Sequence, residues 1–415
     1  MRKADSCAVA VDPVDADPAG PGTGIAPAIV AGVITAVVGF TSSFAVVLAG
    51  LRAVGATGEQ AASGLLVLCL TMGVGSIAFS WRLRMPMTMA WSTPGAALLA
   101  GGSTPTAGFG AAVTAFAIAG ALIALCGLVK PLGVLVSAIP PALANAMLAG
   151  VLLTLCVEPF EALRVSPAAI APVLCTWLVL MRLARRWAVP GALAAALVVI
   201  VVSGSLSHLA GARLGPVVVP VAPAWEPAAV LAIALPLFLV TMTSQNIPGM
   251  AVLASFGYRP PLAPPLVYTG AATMVGAFAG AHAVNLAAIS AALAAGPAAH
   301  PDRSRRWIAG VTCGIVYVAL GPASALVAAV AQAAPAGIMA AIAGLALIGT
   351  FASAAGSALA DGAHREAAAI TFLVAASGVT FGGIGAAFWG LLAGGTYSAV
   401  LKAPAWRRLG RRPSR

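Results

Sequence analysis

Charged side chains are scarce in this chain. Of its 415 residues only 8% are Asp, Glu, Lys or Arg, whereas 61% are hydrophobic, and the mean hydropathy is +1.02. A soluble protein of this size carries about 25% charged residues, so a soluble globular fold is excluded. The apolar runs are long and continuous, rich in Ala, Leu and Gly, rather than alternating. They predict an all-α polytopic membrane protein, not a membrane β-barrel.

Groups that support catalysis or metal binding are also few. There are four His, and the six Cys contain no C-x-x-C pair and lie mostly inside apolar runs, as small core hydrophobes do. No Walker loop, nucleophile elbow, H-E-x-x-H or paired carboxylate occurs. We therefore expect no enzyme, no ATP-driven pump, no metal and no cofactor.

The net charge of +11 does not indicate nucleic-acid binding. The basic residues lie in short loops and in the last residues, where the positive-inside rule places them on the cytoplasmic side of a lipid bilayer. Residues 1–24 contain several Asp, Pro and Gly and no apolar core, so they predict a disordered cytoplasmic tail rather than a signal peptide. Residues 403–415 predict a basic cytoplasmic tail.

The apolar runs predict about 14 membrane segments, most of them near the roughly 20-residue bilayer length. The third and tenth are too short to cross alone. The predicted spans are 27–50, 61–80, 87–101, 107–129, 133–158, 167–183, 190–207, 228–250, 263–279, 282–296, 306–331, 335–358, 364–380 and 384–401.

The charges agree with this number of segments. With both termini in the cytoplasm, nineteen of the 22 basic residues fall inside, and only Arg52, Arg164 and Arg213 fall outside. A wrong count would mix the two sides, so the distribution favours an even number of spans.

A weak internal repeat relates the two halves of the chain. Residues 41–43 (TSS) match residues 243–245 (TSQ) at an offset of 202, and residues 96–101 match residues 291–296 at an offset of 195. Seven segments per half is an odd number, so the halves must be inverted relative to each other. Inverted repeats of this kind are typical of secondary transporters.

The third segment is interrupted by polar residues and by a Pro-Gly pair at residues 87–95. Thr93 is a suitable N-cap and Pro94 suits the first position of a half-helix over 94–101. Free N–H groups and the helix dipole would favour an anion there, and Trp91 would stack on a flat ring. The alternative is a kinked core helix with a buried Trp. The N–H groups expected to be free are those of Gly95, Ala96 and Ala97.

The tenth segment is interrupted at residues 280–286. Asn285 is expected to cap a second half-helix that begins at Leu286, so that donors from two half-helices converge. No acidic residue lies at the centre of a predicted span, so His282 is the best embedded group to carry a co-transported proton. The alternative is a core histidine bonded to a backbone carbonyl.

Two further segments carry polar residues at bilayer depth. In the eighth, a run of four polar residues is followed by Pro248 and Gly249, which would open the local backbone. Such a run is costly unless it lines a cavity, although polar contacts between helices would also explain it. Ser43, in the first segment, is a weaker candidate of the same kind. The four residues of the run are Thr243, Ser244, Gln245 and Asn246.

Three stretches resemble signatures of the benzoate/proton symporter family (BenE-type). They are AWSTPGAALL at 90–99, SQNIPGMAVL at 244–253 and HAVNLAAI at 282–289, the last followed by GP at 296–297 and RRW at 305–307. The similarity runs from about residue 25 to 400. This family is related in fold to the uracil and anion transporters, which have seven-plus-seven inverted repeats.

The resemblance implies a core domain formed by segments 1–4 (25–130) and 8–11 (225–332). It also implies a gate domain formed by segments 5–7 (131–210) and 12–14 (333–402), with a possible homodimer through the gate. The solute would lie between the half-helices of segments 3 and 10 and against segment 8. The positions that match are Trp91, Ser92, Thr93, Gly95, Gln245, Asn246, His282 and Asn285.

The chain differs from the uracil-type relatives in the charge of two positions. The uracil-type relatives place acidic residues on segments 8 and 10, where this chain has Gln245 and Asn285. A buried carboxylate would repel an anionic substrate, so this difference fits an anion and puts the relatives' proton-coupling scheme in doubt here.

The resulting hypothesis is a proton-coupled importer of a small aromatic carboxylate, with benzoate as the expected solute, in the bacterial inner membrane. The carboxylate would accept N–H bonds from Gly95 and Ala96 and near Leu286, with help from Gln245 and Asn285. A same-fold transporter of another anion or of a nucleobase, a channel, and a membrane-embedded enzyme are the competing hypotheses.

Overall fold

The structure is a computed structural model that describes residues 24–102, 104–129, 140–209, 214–288 and 290–402. Apart from Gly24, both predicted tails lie outside the described residues, as do Lys130 and Arg213.

Helices dominate the described residues. They are α1 (Ala26–Thr41), α2 (Phe44–Ala53), α3 (Gly58–Leu83), α4 (Thr93–Ala100), α5 (Phe109–Leu128), α6 (Pro141–Val165), α7 (Pro167–Leu183), α8 (Ala188–Val202), α9 (Pro227–Ser255), α10 (Ala263–Ala277), α11 (Ala291–Ala295), α12 (Trp307–Leu320), α13 (Ser324–Ala333), α14 (Ile338–Ala360), α15 (Arg365–Ala376) and α16 (Ala386–Lys402). Short 3₁₀ turns lie at Arg185–Trp187, Ser205–Leu209, Arg303–Arg305 and Gly321–Ala323.

The predicted membrane segments overlap these elements, and residues 133–139 of the fifth predicted segment lie outside the described residues. Among the described residues, eight helices or helix pairs are long and apolar enough to cross a bilayer. Each of the other predicted segments overlaps a shorter helix or, for the third and tenth, a strand followed by a short helix. The chain is thus a multi-pass membrane protein, and the count of fourteen crossings stays a prediction.

The first predicted segment is two helices instead of one. A turn at Ser42 and Ser43 separates α1 from α2. Both serine hydroxyls donate to the carbonyl oxygen of Gly39, each at 3.2 Å. These side-chain bonds compete with the helical ladder at its end and favour a turn.

Helix α9 contains two π-helical turns, at Val230–Ala234 and Met242–Asn246. A proline follows each turn by two residues, at Pro236 and Pro248. Because proline has no N–H, it cannot donate to the carbonyl four residues earlier, and the hydrogen-bond ladder loses its α-helical spacing there. After the second turn the Ile247 N–H bonds to the Met242 oxygen, five residues back. The expected opening near Pro248 is therefore a widened helix.

The two interrupted segments meet in a short two-stranded antiparallel sheet. Strand β1 (Met89–Trp91) pairs with β2 (Val284–Leu286), with Ala90 opposite Asn285. The Ser92 N–H donates to the Ala283 oxygen at 2.8 Å and the Ala287 N–H to the Thr88 oxygen at 2.9 Å. This pairing satisfies backbone groups that would otherwise be unpaired at bilayer depth.

The helices form two groups by their packing. In the first bundle (α1–α5 and α9–α13), α3 and α1 pack on α12, α5 packs on α10, and α2 packs on α4. In the second bundle (α6–α8 and α14–α16), α6 packs on α14 and α15, α15 on α16, and α7 on α8. The bundles meet where α14 contacts α2 and where α6 contacts α4.

Arg306, directly before α12, is buried, although the sequence assigns it only to a basic loop. Its side chain is 7% exposed. The guanidinium donates to the carbonyl oxygens of His300 at 2.7 Å, Ala295 at 3.0 Å and Pro301 at 3.2 Å. One planar group thus ties the last residue of α11 to the following loop.

We expect Arg306→Gln to destabilise the protein by about 3 kcal/mol, because it leaves buried carbonyls without their charged donor. Thermal unfolding in detergent should show a clearly lower midpoint for Arg306→Gln than for Arg82→Gln, a change at an exposed arginine. Equal midpoints for the two variants would refute a structural role for Arg306.

Candidate functional site

A cavity of about 280 Å³ lies between the two bundles. The first bundle supplies most of its wall, and the second supplies three residues. The lining residues are Val38, Gly39, Ser42, Ser43, Met72, Ala90, Trp91, Thr93, Gln245, Ala287, Ala288, Ser290, Leu293 and Tyr317 from the first bundle, and Arg186, Ala346 and Thr350 from the second.

The cavity brings together four of the residues that the sequence suggested for the site. These are Ser43, Trp91, Thr93 and Gln245. Ser244 is half-buried, and its hydroxyl has no hydrogen-bond partner among the described residues. The remaining candidates are buried behind the cavity wall; they are Ser92, Gly95, Ala96, Asn246, His282, Asn285 and Leu286.

Trp91 is held firmly in the cavity wall. It is 3% exposed, and its indole Nε1–H donates to the Ser43 hydroxyl at 2.8 Å. Its ring contacts that of Phe40, with 5.5 Å between centroids and a 57° angle between planes. Phe40 in turn stacks on Phe44 at 5.6 Å. Trp91 therefore gives the cavity an aromatic surface held in place by its neighbours, and such a surface suits stacking of a flat ring.

The cap of the first half-helix differs from the prediction. Ser92, not Thr93, caps α4, because its hydroxyl accepts the Gly95 N–H at 3.1 Å. The Ala96 N–H bonds to the Ser92 carbonyl oxygen at 2.7 Å. Gly95 and Ala96 thus have no free N–H to offer an anion. Thr93 begins the helix and its side chain faces the cavity instead.

The second half-helix also begins elsewhere. Asn285 lies in β2 and does not cap a helix, and α11 begins only at Ala291, after Ser290. The Leu286 N–H, expected to be free, donates to Asn246 Oδ1 at 2.9 Å. Local capping preferences predict that a helix begins at these residues. Their backbone groups instead bond to strand β1 and to the Asn246 side chain.

Gln245 is the polar group of α9 that reaches the cavity. It is 7% exposed, and its Oε1 accepts a long bond of 3.5 Å from Asn285 Nδ2. Asn285 Nδ2 also donates to the Leu286 oxygen at 2.6 Å. Asn285 therefore orients the Gln245 carboxamide, whose NH₂ group forms no bond with the described residues and remains available to an acceptor in the cavity.

His282 is fully buried. Neither ring nitrogen has a hydrogen-bond partner among the described residues, and the same holds for Asn285 Oδ1. The alternative of a histidine bonded to a backbone carbonyl is therefore not what this structure has. A buried imidazole without partners is costly.

Several cavity residues could not be identified as site residues from the sequence. Arg186 was explained by the positive-inside rule, and Tyr317, Ala346 and Thr350 lie in ordinary apolar helices. Only tertiary packing shows that they share one cavity. Within the described ranges no three His, Cys, Asp or Glu residues come together as a metal ion would need.

Comparison with known proteins gives consistent matches along the whole chain. The family model described as benzoate membrane transport protein matches residues 24–400. The chain is 37% identical over 375 residues to the inner membrane protein YdcO of Escherichia coli, covering 90% of this chain and 96% of that protein. It is 31% identical over 385 residues to the benzoate membrane transport protein of Acinetobacter baylyi, covering 91% and 95%.

Solved structures share the fold at low sequence identity. The transmembrane domain of the cyanobacterial bicarbonate transporter BicA matches with a TM-score of 0.55 at 16% identity, covering 90% of this chain and 97% of that one. SLC26A9 matches with a TM-score of 0.60 at 13% identity, covering 91% and 65%. The murine Slc26a9 anion transporter in the inward-facing state gives 0.59 at 12% identity, covering 91% and 68%.

Proposed function

Because the chain belongs to the benzoate membrane transport protein family, we propose that it imports benzoate, or a closely similar small aromatic carboxylate, together with protons. The family and the fold are those of a membrane transporter rather than an enzyme. The observation that carries the proposal is the cavity between the bundles, with the Trp91 ring in its wall, the Gln245 carboxamide and the charged Arg186.

The size of the cavity fits a one-ring solute. At about 280 Å³ it lies near the lower end of the roughly 300–1,000 Å³ typical of small-molecule sites. Trp91, Met72 and Leu293 supply apolar surface for a ring. Gln245 and Thr93 supply polar groups for the carboxylate. Because the half-helix N–H groups of Gly95, Ala96 and Leu286 are occupied, side chains carry the recognition of the anion.

The charge of the lining favours an anion over a neutral ring. Among the described residues, no Asp or Glu lines the cavity, and Arg186 supplies one positive charge. A nucleobase would need several donors and acceptors fixed along one edge of its ring. Another small anion would satisfy the charge but would leave the aromatic wall unused.

Replacing Ser43 with Ala is expected to weaken benzoate binding about tenfold. The substitution leaves the buried Trp91 Nε1–H without an acceptor, which costs about 1–3 kcal/mol and frees the ring to move. Calorimetric titration with benzoate measures the change. Ser42→Ala is the matched control, because Ser42 also lines the cavity but its hydroxyl donates to the Gly39 carbonyl oxygen and not to Trp91. Equal benzoate affinities of the two variants would show that Trp91 does not contribute to recognition of the aromatic ring.

The division into two bundles supports the proposed core domain (25–130 and 225–332) and gate domain (131–210 and 333–402). The most extensive helix packing lies within each bundle, and the cavity lies between them. Movement of one bundle against the other would expose the cavity to the two sides in turn, which is alternating access.

Seven-plus-seven inverted repeats and fourteen crossings are part of the proposal. Strands β1 and β2 begin at Met89 and Val284, which is the offset of 195 found in the sequence, and they pair antiparallel. Antiparallel pairing is what a two-fold axis in the membrane plane produces. The α1–α2 turn and the second π-turn of α9 are likewise related by the offset of 202.

We further propose that the protein lies in the bacterial inner membrane with both termini in the cytoplasm. The name of the Escherichia coli relative and the distribution of basic residues support this placement. A homodimer through the second bundle rests on the family resemblance alone.

Calorimetric titration of the purified protein tests the proposed substrate. Benzoate should bind saturably, whereas benzamide, uracil and bicarbonate should bind at least tenfold more weakly. Tighter binding of bicarbonate or uracil than of benzoate would overturn the assignment to an aromatic carboxylate.

A further inference from the structure

Among the described residues that line the cavity, Arg186 alone is charged. It belongs to the 3₁₀ turn Arg185–Trp187 between α7 and α8. Its side chain is exposed and forms no hydrogen bond or ion pair with any described residue. The turn lies on the predicted cytoplasmic side.

We propose that Arg186 is a specificity-determining residue that binds the carboxylate of the solute at the cytoplasmic end of the cavity. The inference rests on the proposed function for the identity of the solute and adds a contact from the second bundle. Trp91, Thr93 and Gln245 all belong to the first bundle. A solute held by these residues and by Arg186 would contact both bundles at once.

The chemistry of arginine suits this role. Its planar guanidinium presents N–H donors in a fork that matches both oxygens of a carboxylate. With no acidic partner among the described residues, no ion pair has to be broken before an anion binds. A positive charge at the mouth of a low-dielectric cavity also attracts anions from solution, and added salt weakens that attraction.

The competing explanation is that Arg186 only fixes membrane orientation, as basic residues in short loops do. The adjacent Arg185 provides the comparison, because it lies in the same turn and is also exposed but does not line the cavity. A purely topological role predicts equal effects of substituting either arginine.

The test measures binding of benzoate and of benzamide, its neutral analogue, to wild type, Arg186→Gln, Arg186→Lys and Arg185→Gln by calorimetry at low and high salt. Arg186→Gln should weaken benzoate binding about 10- to 100-fold, leave benzamide binding unchanged and remove the salt dependence. Arg186→Lys should keep the salt dependence with intermediate affinity. Arg185→Gln should match wild type within about twofold.

Equal benzoate affinities of Arg186→Gln and Arg185→Gln would overturn the inference, as would an equal loss of benzamide binding. These outcomes leave the proposed function intact when wild type binds benzoate. If wild type binds bicarbonate or another small anion instead of benzoate, and Arg186→Gln alone abolishes that binding, the proposed substrate falls and the role of Arg186 stands. If wild type binds no anion, both fall.

Discussion

Replacing Gln245 with Glu is expected to reduce benzoate uptake at neutral pH by more than about 100-fold and to restore part of it at acidic pH. The substitution keeps the size of the side chain but places a carboxylate beside the carboxylate of the solute. Juxtaposed like charges in a binding site cost several kcal/mol. Acidification protonates the introduced carboxyl and removes the repulsion, so the loss should be reversible.

The measurement is the initial rate of radiolabelled benzoate uptake into proteoliposomes at a series of external pH values. Gln245→Ala separates charge from the missing donor, since it should lose about 10- to 100-fold at every pH. Gln332→Glu is the matched control, because Gln332 lies beside Gly58 and away from the cavity. Identical pH profiles for Gln245→Glu and Gln332→Glu would show that Gln245 is not part of the binding site.

Replacing His282 with Ala is expected to abolish the stimulation of uptake by an inward proton gradient while benzoate exchange continues. The imidazole is fully buried next to the paired strands and has two unpartnered nitrogens. It is therefore placed to gain and lose a proton as the bundles move. Without it the benzoate site persists, since His282 does not line the cavity.

The readout for His282 is the ratio of the gradient-driven initial rate to the exchange rate without a gradient, after subtraction of the rate in protein-free vesicles. This subtraction is necessary because protonated benzoic acid crosses a bare bilayer. The ratio should fall to about one in His282→Ala and stay at the wild-type value in His300→Gln, which alters another buried histidine. A wild-type ratio in His282→Ala would place proton coupling elsewhere.

The sequence predicts the helical segments well because bilayer thickness and the cost of unpaired backbone dictate them. Proline and glycine also mark the interruptions in the third, eighth and tenth segments. The detailed starts of the half-helices could not be predicted. Local preferences favour Thr93 and Asn285 as caps, but β1 pairs with β2 and Asn246 binds the Leu286 N–H. Those partners lie far away in the sequence.

The candidate site, like the fold, could be predicted only in part from the sequence. Ser43, Trp91, Thr93 and Gln245 could be identified because polar or aromatic residues at bilayer depth need a reason. Thr350 and Ala346 could not, since they look like any residue of an apolar helix. Arg186 could not either, because a basic residue in a short loop already has a topological explanation. Only the packing of the second bundle against the first brings these residues to the cavity.

The most direct test of the account is the initial rate of benzoate uptake into proteoliposomes with an acidic exterior, compared with protein-free vesicles. The proposed function predicts a protein-dependent rate that saturates with benzoate and falls when a protonophore dissipates the gradient. Unlabelled benzoate should inhibit this rate at concentrations at least tenfold lower than benzamide or uracil. A rate equal to that of protein-free vesicles at every gradient, with the protein folded and inserted, would contradict it.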